Sequence, residues 1–278
     1  ECLWAALVSK STFTDGGADA NSSWSASVAN SATACTIDFN DSNTATLQEL
    51  DIYFIMGAGT YDAGTHQVYK LSKAVVNSAS IDFDIDGIAT INWSGFASTI
   101  TDEGSQPTVN IKEGLLATNN FIRNRLTTLT ATATTAEDIV GTYTLTLTGG
   151  SLNFENNITF LTPETLGVIN QPIGHVTGTR NIGGSFTCYL SNSTAGSADL
   201  WEDLIESDET ITNDFNLVFD IGGTASPTMK VTLPTCHLEI PTHSIEDVIS
   251  LETTFHALPS TIGGADEATI VYVGPVPA

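Results

Sequence analysis

Positive charge is scarce in this chain. Eight lysines and arginines stand against 32 aspartates and glutamates in 278 residues, a formal net charge of −24. Binding to a phosphate backbone needs clustered Lys and Arg, so this balance argues against nucleic-acid affinity and leaves repulsion as the alternative role. Cysteine is sparse too. Cys2, Cys35, Cys188 and Cys236 are widely separated and form no C-x-x-C pair, which indicates neither zinc nor redox chemistry and predicts buried free thiols. No apolar run approaches the roughly 18 residues of a membrane helix. G-x-S-x-G, H-E-x-x-H, Walker and G-x-G-x-x-G motifs are all missing, so no catalytic constellation, metal site or cofactor is indicated. His66, His175, His237, His243 and His256 are scattered. The acidic group Glu202, Asp203, Glu206, Asp208 and Glu209 could supply a glycosidase pair but reads more simply as the solvated face of a short helix. There is no basic, apolar signal segment and no initiator Met. The opening Glu1-Cys2-Leu3-Trp4 reads like the middle of an element, so the true N-terminus is expected upstream.

What the chain does have is alternation. In Ile81–Trp93, IDFDIDGIATINW, the odd positions Ile81, Phe83, Ile85, Gly87, Ala89, Ile91 and Trp93 are apolar or small, while Asp82, Asp84 and Asp86 fill even ones. Side chains alternate across a β-strand, so this run offers one face to a core and a row of carboxylates to solvent or a cavity. Asp82-x-Asp84-x-Asp86-Gly87 also matches the opening of an EF-hand loop, but position 12 of that loop must be a bidentate Glu and here it is Trp93. A two-residue turn at Asp86-Gly87 is the other alternative. It would send Ile91 and Trp93 to the face opposite Ile81 and Phe83, so parity favours one long strand.

An internal repeat is expected. Shifted by 160 positions, Tyr69–Thr99 falls on Met229–Pro259, placing Lys70 on Lys230, Ile85 on Ile245, Asp86 on Glu246, Ile91 on Leu251 and Ala97 on Ala257. In this alignment Ile249, Leu251 and Phe255 take core-facing roles. A shift of 153 sets Cys35 on Cys188 and Leu47 on Leu200. The second of these segments begins Ser197-Ala-Asp-Leu-Trp, an N-cap and helical spacing, and Asn43–Leu50 is expected to be a weaker version of the same helix. The domains expected are 1–104, lacking its N-terminal part, and 105–278. Strands are expected at 126–134, 184–190, 215–220, 229–233 and 269–273, with Thr142–Thr148 and Leu152–Leu161 forming a hairpin about Gly149-Gly150. Closely spaced strands with Gly, Asn and Ser between them indicate antiparallel sandwich or barrel domains. The fold class is therefore mainly β: two tandem related β-sandwich/barrel domains, each with a short helix.

The chain resembles the major tail tube proteins of long-tailed bacteriophages through Thr148-Gly149-Gly150, Asn156-Asn157-Ile-Thr159, Leu161-Thr-Pro-Glu-Thr-Leu-Gly167, Gly184-Ser-Phe-Thr-Cys-Tyr-Leu190 and Lys230-Val-Thr-Leu-Pro234. The resemblance implies a non-enzymatic virion subunit, assembled in the host cytoplasm, whose rings stack into a hollow tail tube with an acidic lumen. A duplicated chain implies trimeric, pseudo-hexameric rings; an unduplicated one implies hexamers. The partners implied are further copies of itself, other tail proteins, and genomic DNA passing without specific binding, with no membrane. Asp82, Asp84, Asp86 and Glu246 are the candidate lumen-facing acids, and Ile81, Phe83, Ile85, Ile91, Trp93, Ile249, Leu251 and Phe255 the candidate core or assembly strand. Only one of the three carboxylates survives in the second copy, where Thr242, Ser244 and Glu246 stand. The rival from another class is a secreted or surface β-sandwich adhesin that binds carbohydrate, with sequons at Asn21, Asn40, Asn92, Asn157 and Asn192.

Overall fold

The computed structural model describes residues 2–9, 13–14, 23–24, 28–30, 34–39, 46–56, 67–103, 121–133, 141–162, 172–206, 215–245 and 249–274. In chain order these form helix α1 (Cys2–Val8), the short strands β1 (Phe13–Thr14), β2 (Ser23–Trp24) and β3 (Val28–Asn30), then β4 (Ala34–Asp38), β5 (Leu50–Met56), β6 (Gln67–Asp84), β7 (Thr90–Phe96) and β8 (Thr99–Glu103). After a 3-10 turn at Asn124–Leu126 come β9 (Thr128–Ala133), β10 (Thr142–Glu155), β11 (Thr159–Leu161), β12 (Gly174–Val176), β13 (Asn181–Tyr189) and α2 (Ser197–Glu206). The last elements are β14 (Phe215–Ile221), β15 (Thr228–Leu238), β16 (Thr242–Ile245), β17 (Ile249–Ala257) and β18 (Thr269–Val273).

Six antiparallel strands close a barrel in the order β9–β10–β13–β17–β15–β14 and back to β9. Closure removes free edges from these six. Strict alternation fills the interior: Phe215, Leu217, Phe219 and Ile221 of β14 are all buried, as period-two patterning requires. Phe219 stacks on Phe83 with centroids 5.8 Å apart and meets Phe255 at 5.6 Å, which in turn meets Phe186 at 6.2 Å.

Two long strands leave the barrel wall. Beyond the stretch paired to β9, β10 takes β6 as its neighbour, and β7 lies beside β6. On the far side β15 takes β18, followed by β4 and β3. Helix α1 is apolar all round and packs between these extensions with Trp4–Val8 buried, as a helix sunk in a core requires. Its Trp4 meets Trp93 at 4.8 Å, Phe154 at 5.6 Å and Phe39 at 6.4 Å, all edge to face. The carbonyls at its end are capped by side chains: Asn156 Nδ2 donates to Leu7 O at 2.7 Å and Arg180 Nη2 donates to Val8 O. These caps satisfy groups that a helix C-terminus leaves unpaired, and the guanidinium complements its partial negative charge. The outer half of β6 carries β5 and β8 as a three-stranded arm with Phe54, Met56 and Ile100 exposed. The described parts of 1–104 and 105–278 thus share one sheet and one principal core.

Several local expectations are corrected. Ile81–Trp93 is a hairpin, not one strand: β6 ends at Asp84 and β7 returns, with Ile81 opposite Ile91 and Asp82 opposite Thr90. The odd run Phe83–Ala89 between the last pairs keeps Ile81 and Ile91 on one face, whereas a two-residue turn would have separated them. Ile85 consequently lies in the turn and is 41% exposed. Conversely, Gly149-Gly150 is not a turn. Thr142–Glu155 is one strand with a β-bulge between Leu147 and Gly149, and a Cβ at Gly150 would come within 2.5 Å of Ser185 O, so glycine there answers a close backbone approach. Residues 46–49 are irregular and Leu50 opens β5, so the described part of Asn43–Leu50 holds no helix. Leu47 is buried against Val75 and Ile158 instead. The cysteines are all free, but only Cys188 and Cys236 are buried; Cys2 is exposed and Cys35 half-buried. Helix α2 spans Ser197–Glu206, but Ser197 is not its N-cap: Leu200 N donates to Gly196 O, which places the cap at Gly196, while Ser197 Oγ accepts from Ser191 N and donates to Tyr189 O. Asp203 of α2 accepts a hydrogen bond from the fully buried Tyr143.

Candidate functional site

The sheet formed by β7, β6, β10, β13 and β17 has two unlike faces. One carries Ala79, Ile81, Phe83, Leu152, Phe154, Ile182, Phe186, Leu251 and Phe255, all buried. The registers fix what stands on the other. Directly opposed residues of antiparallel strands share a face, so Thr90, Asp82, Ser151, Ser185 and Thr254 form one row across five strands. The row on one side of it is Asp84, Gly149, Thr187, Glu252 and Thr242. On its other side run Asn92, Ser80, Asn153, Gly183, His256 and His237, and beyond them Ser94, Ser78, Glu155 and Asn181.

None of these positions holds Lys or Arg. Apart from two histidines, they hold carboxylates, short hydroxyl or amide side chains, and glycine. Asp82, Asp84, Glu155 and Glu252 are exposed. Asn92 Nδ2 donates to Asp82 Oδ2 at 3.5 Å and Thr148 Oγ1 to Thr187 O at 3.1 Å, so polar groups at the surface are partly tied down. A shallow depression of about 450 Å³ crosses this face, lined by Asn153, Glu155, Asn181, Ser185, Glu239 and His256 among others. Among the described residues no three His, Cys, Asp or Glu are grouped to hold a metal ion.

Of the residues expected from the sequence, Asp82 and Asp84 lie together on this face. Asp86 is exposed at the turn beyond them, and Glu246 lies outside the described residues. Ile81, Phe83, Leu251 and Phe255 are buried beneath the face, with Ile91 and Trp93 half-buried against the same core. Ile249 is 38% exposed at the end of β17. Sequence reasoning missed Glu155, Glu239 and Glu252. The parity of Ser151-Leu-Asn-Phe-Glu155 and Ile249-Ser-Leu-Glu252 marks two of them, since each carboxylate alternates with a buried apolar residue.

Residues 3–270 of the chain match the family model described as phage tail tube protein. The chain belongs to the phage tail tube protein family. It is also 29% identical, over 255 residues, to the tail tube protein pb6 of Escherichia phage T5, an alignment that covers 88% of this chain and 52% of that protein. The chain thus spans about half the length of this curated relative. Members of the family are structural virion components, and a mainly β barrel with two short helices among the described residues is the scaffold this one brings to that role. No helix among the described residues is long and apolar enough to cross a membrane.

Proposed function

We propose that this chain is a non-enzymatic subunit that builds the hollow tail tube by stacking rings, with the polar face of the β7–β6–β10–β13–β17 sheet turned to the lumen. The observation that carries this reading is the continuity of that face: four rows across adjacent strands, with exposed carboxylates and no cation. A DNA phosphate about 6 Å from one carboxylate in water meets a repulsion of about 0.7 kcal/mol, close to thermal energy. Repeated around a bore, such a wall centres a polyanion without offering wells in which it would stall. Strand backbones hold the charges at fixed spacing, and the aromatic core behind them keeps the wall from yielding.

If 1–104 and 105–278 act as two quasi-equivalent units, three copies complete a pseudo-sixfold ring; otherwise six copies do so. Other tail proteins are the partners at the tube's ends, assembly takes place in the host cytoplasm, and genomic DNA is cargo held by no specific contact. Cryo-electron microscopy of tubes assembled from the purified chain tests the reading. Density should place Asp82 and Glu252 on the inner wall, and a map with this face outward refutes it. Replacing Asp82, Asp84 and Asp86 together by Asn should leave assembly intact and slow DNA delivery from reconstituted particles.

A further inference from the structure

The six described basic residues are unevenly placed. Lys70 pairs with Asp51 at 2.9 Å, Lys230 with Asp220 at 3.7 Å, and Arg180 is buried beside Glu267. Lys73 stands on the outer arm. The remaining two, Arg123 and Arg125, are exposed on a single turn and neither has a carboxylate partner among the described residues. With four acids for every base in the chain, two unpaired arginines on one turn represent unspent attraction.

Their surroundings fit a protein surface. Ile85, Ile88, Phe121 and Leu126, each 41–56% exposed, flank the two cations, and Arg123 lies 5.4 Å from the Phe121 ring centroid. Main-chain contacts hold the patch: Ala89 N donates to Ile122 O at 2.9 Å and Asn124 N to Gly87 O at 3.2 Å. Below Arg125 a cleft of about 220 Å³ opens where β6 and β9 diverge along β10. Two atoms in residues lining it, Asn124 Oδ1 and Thr127 Oγ1, are buried and have no hydrogen-bond partner. Buried polar atoms left unpaired cost free energy that an incoming donor recovers.

We propose that this arginine-bearing turn and its cleft are a contact through which one copy of the chain grips a carboxylate-bearing, apolar-edged surface of a second copy. The inference rests on the self-assembly proposed above. DNA is the poorer occupant, because Asp84 lines the same cleft and Asp82 and Asp86 adjoin it, so a run of phosphates would meet the acidic row. A folded partner brings one fixed carboxylate together with the apolar surface that the four hydrophobic side chains require.

The test compares the wild-type chain with Arg123→Glu/Arg125→Glu and with Arg123→Lys/Arg125→Lys, by sedimentation velocity and negative-stain microscopy over a concentration series. Both arginines are exposed, so circular dichroism and the melting midpoint should be unchanged. The glutamate variant should need about tenfold or more higher concentration to assemble, equivalent to about 1.4 kcal/mol. The lysine variant should stay near wild type, and added salt should weaken wild-type assembly. A wild-type chain that remains monomeric overturns the tube reading and this contact together. Wild-type assembly matched by the glutamate variant overturns this contact alone, as does a variant that assembles normally but loses retention of a DNA oligonucleotide.

Discussion

Replacing Arg180 by methionine keeps an aliphatic stem and removes the guanidinium that ties α1 to the barrel. In the structure that group donates from Nη2 to Val8 O, from Nη1 to Phe39 O at 3.3 Å and from Nε to Asn156 Oδ1 at 3.4 Å. Nη1 also lies 3.6 Å from Glu267 Oε2, and the two side chains are only 5% and 11% exposed. Hydrogen bonds to a charged group contribute about 1.5–3 kcal/mol each, but they share one side chain and their losses do not add. The larger effect is what remains: a carboxylate without its countercharge and two carbonyls without a donor. Breaking a buried pair by removing one partner costs about 3–5 kcal/mol. At about 2–4 °C per kcal/mol for a chain of this size, the melting midpoint should fall by about 6–20 °C. Far-ultraviolet circular dichroism on unassembled protein measures it. Arg180→Lys should recover less than half, because a point charge cannot reach acceptors that a planar fork spans. Adding Glu267→Gln to Arg180→Met should restore part of the loss, because the double variant leaves no lone buried charge. A midpoint for Arg180→Met within about 1 °C of wild type, well inside the shift expected for even one lost kcal/mol, would refute the clasp.

Gly184→Ala places a Cβ 1.9 Å from Ser151 O, so β10 and β13 must separate; a loss of about 2 kcal/mol or more is expected in a denaturant titration. Thiol alkylation of the native chain at pH 8 should modify the exposed Cys2 and spare Cys188 and Cys236. Burial pushes the Cys188 thiol up to about 11, and drives Cys236 upward as well, so neither forms the reactive thiolate at that pH. Mass spectrometry of the alkylated peptides reads the result, and early labelling of Cys188 would count against the closed barrel.

Two glycine-bearing stretches show where local pattern stops being informative. Asp86-Gly87 sits in an alternating run and the chain turns there; Gly149-Gly150 sits between two alternating runs and the chain continues. What separates them is tertiary: the neighbouring strand β13 presses on Gly150 through Ser185 O, while the 3-10 turn at Asn124–Leu126 secures the loop at Gly87. Neither neighbour is near in sequence. Alternation nevertheless made the apolar side of β6 and the β14 and β18 strands legible, and helical spacing made α2 legible though not its cap, because each depends only on residues two to four apart. The carboxylates of the polar face are legible strand by strand, because each alternates with buried apolar residues. Their union into rows is not, because it depends on registers set by an odd-numbered loop and a bulge. Arg180 gave no signal either, since its partners come from positions 8, 39, 156 and 267.

The bulge between Leu147 and Gly149 has a mechanical consequence. Thr142–Glu155 is a barrel stave along its first half and a wall strand along its second, and the bulge sets the angle at which one becomes the other. One continuous strand therefore joins core and wall. On the proposed placement of this wall around the lumen, a change of bore would require bending a strand whose two halves are locked into different neighbours.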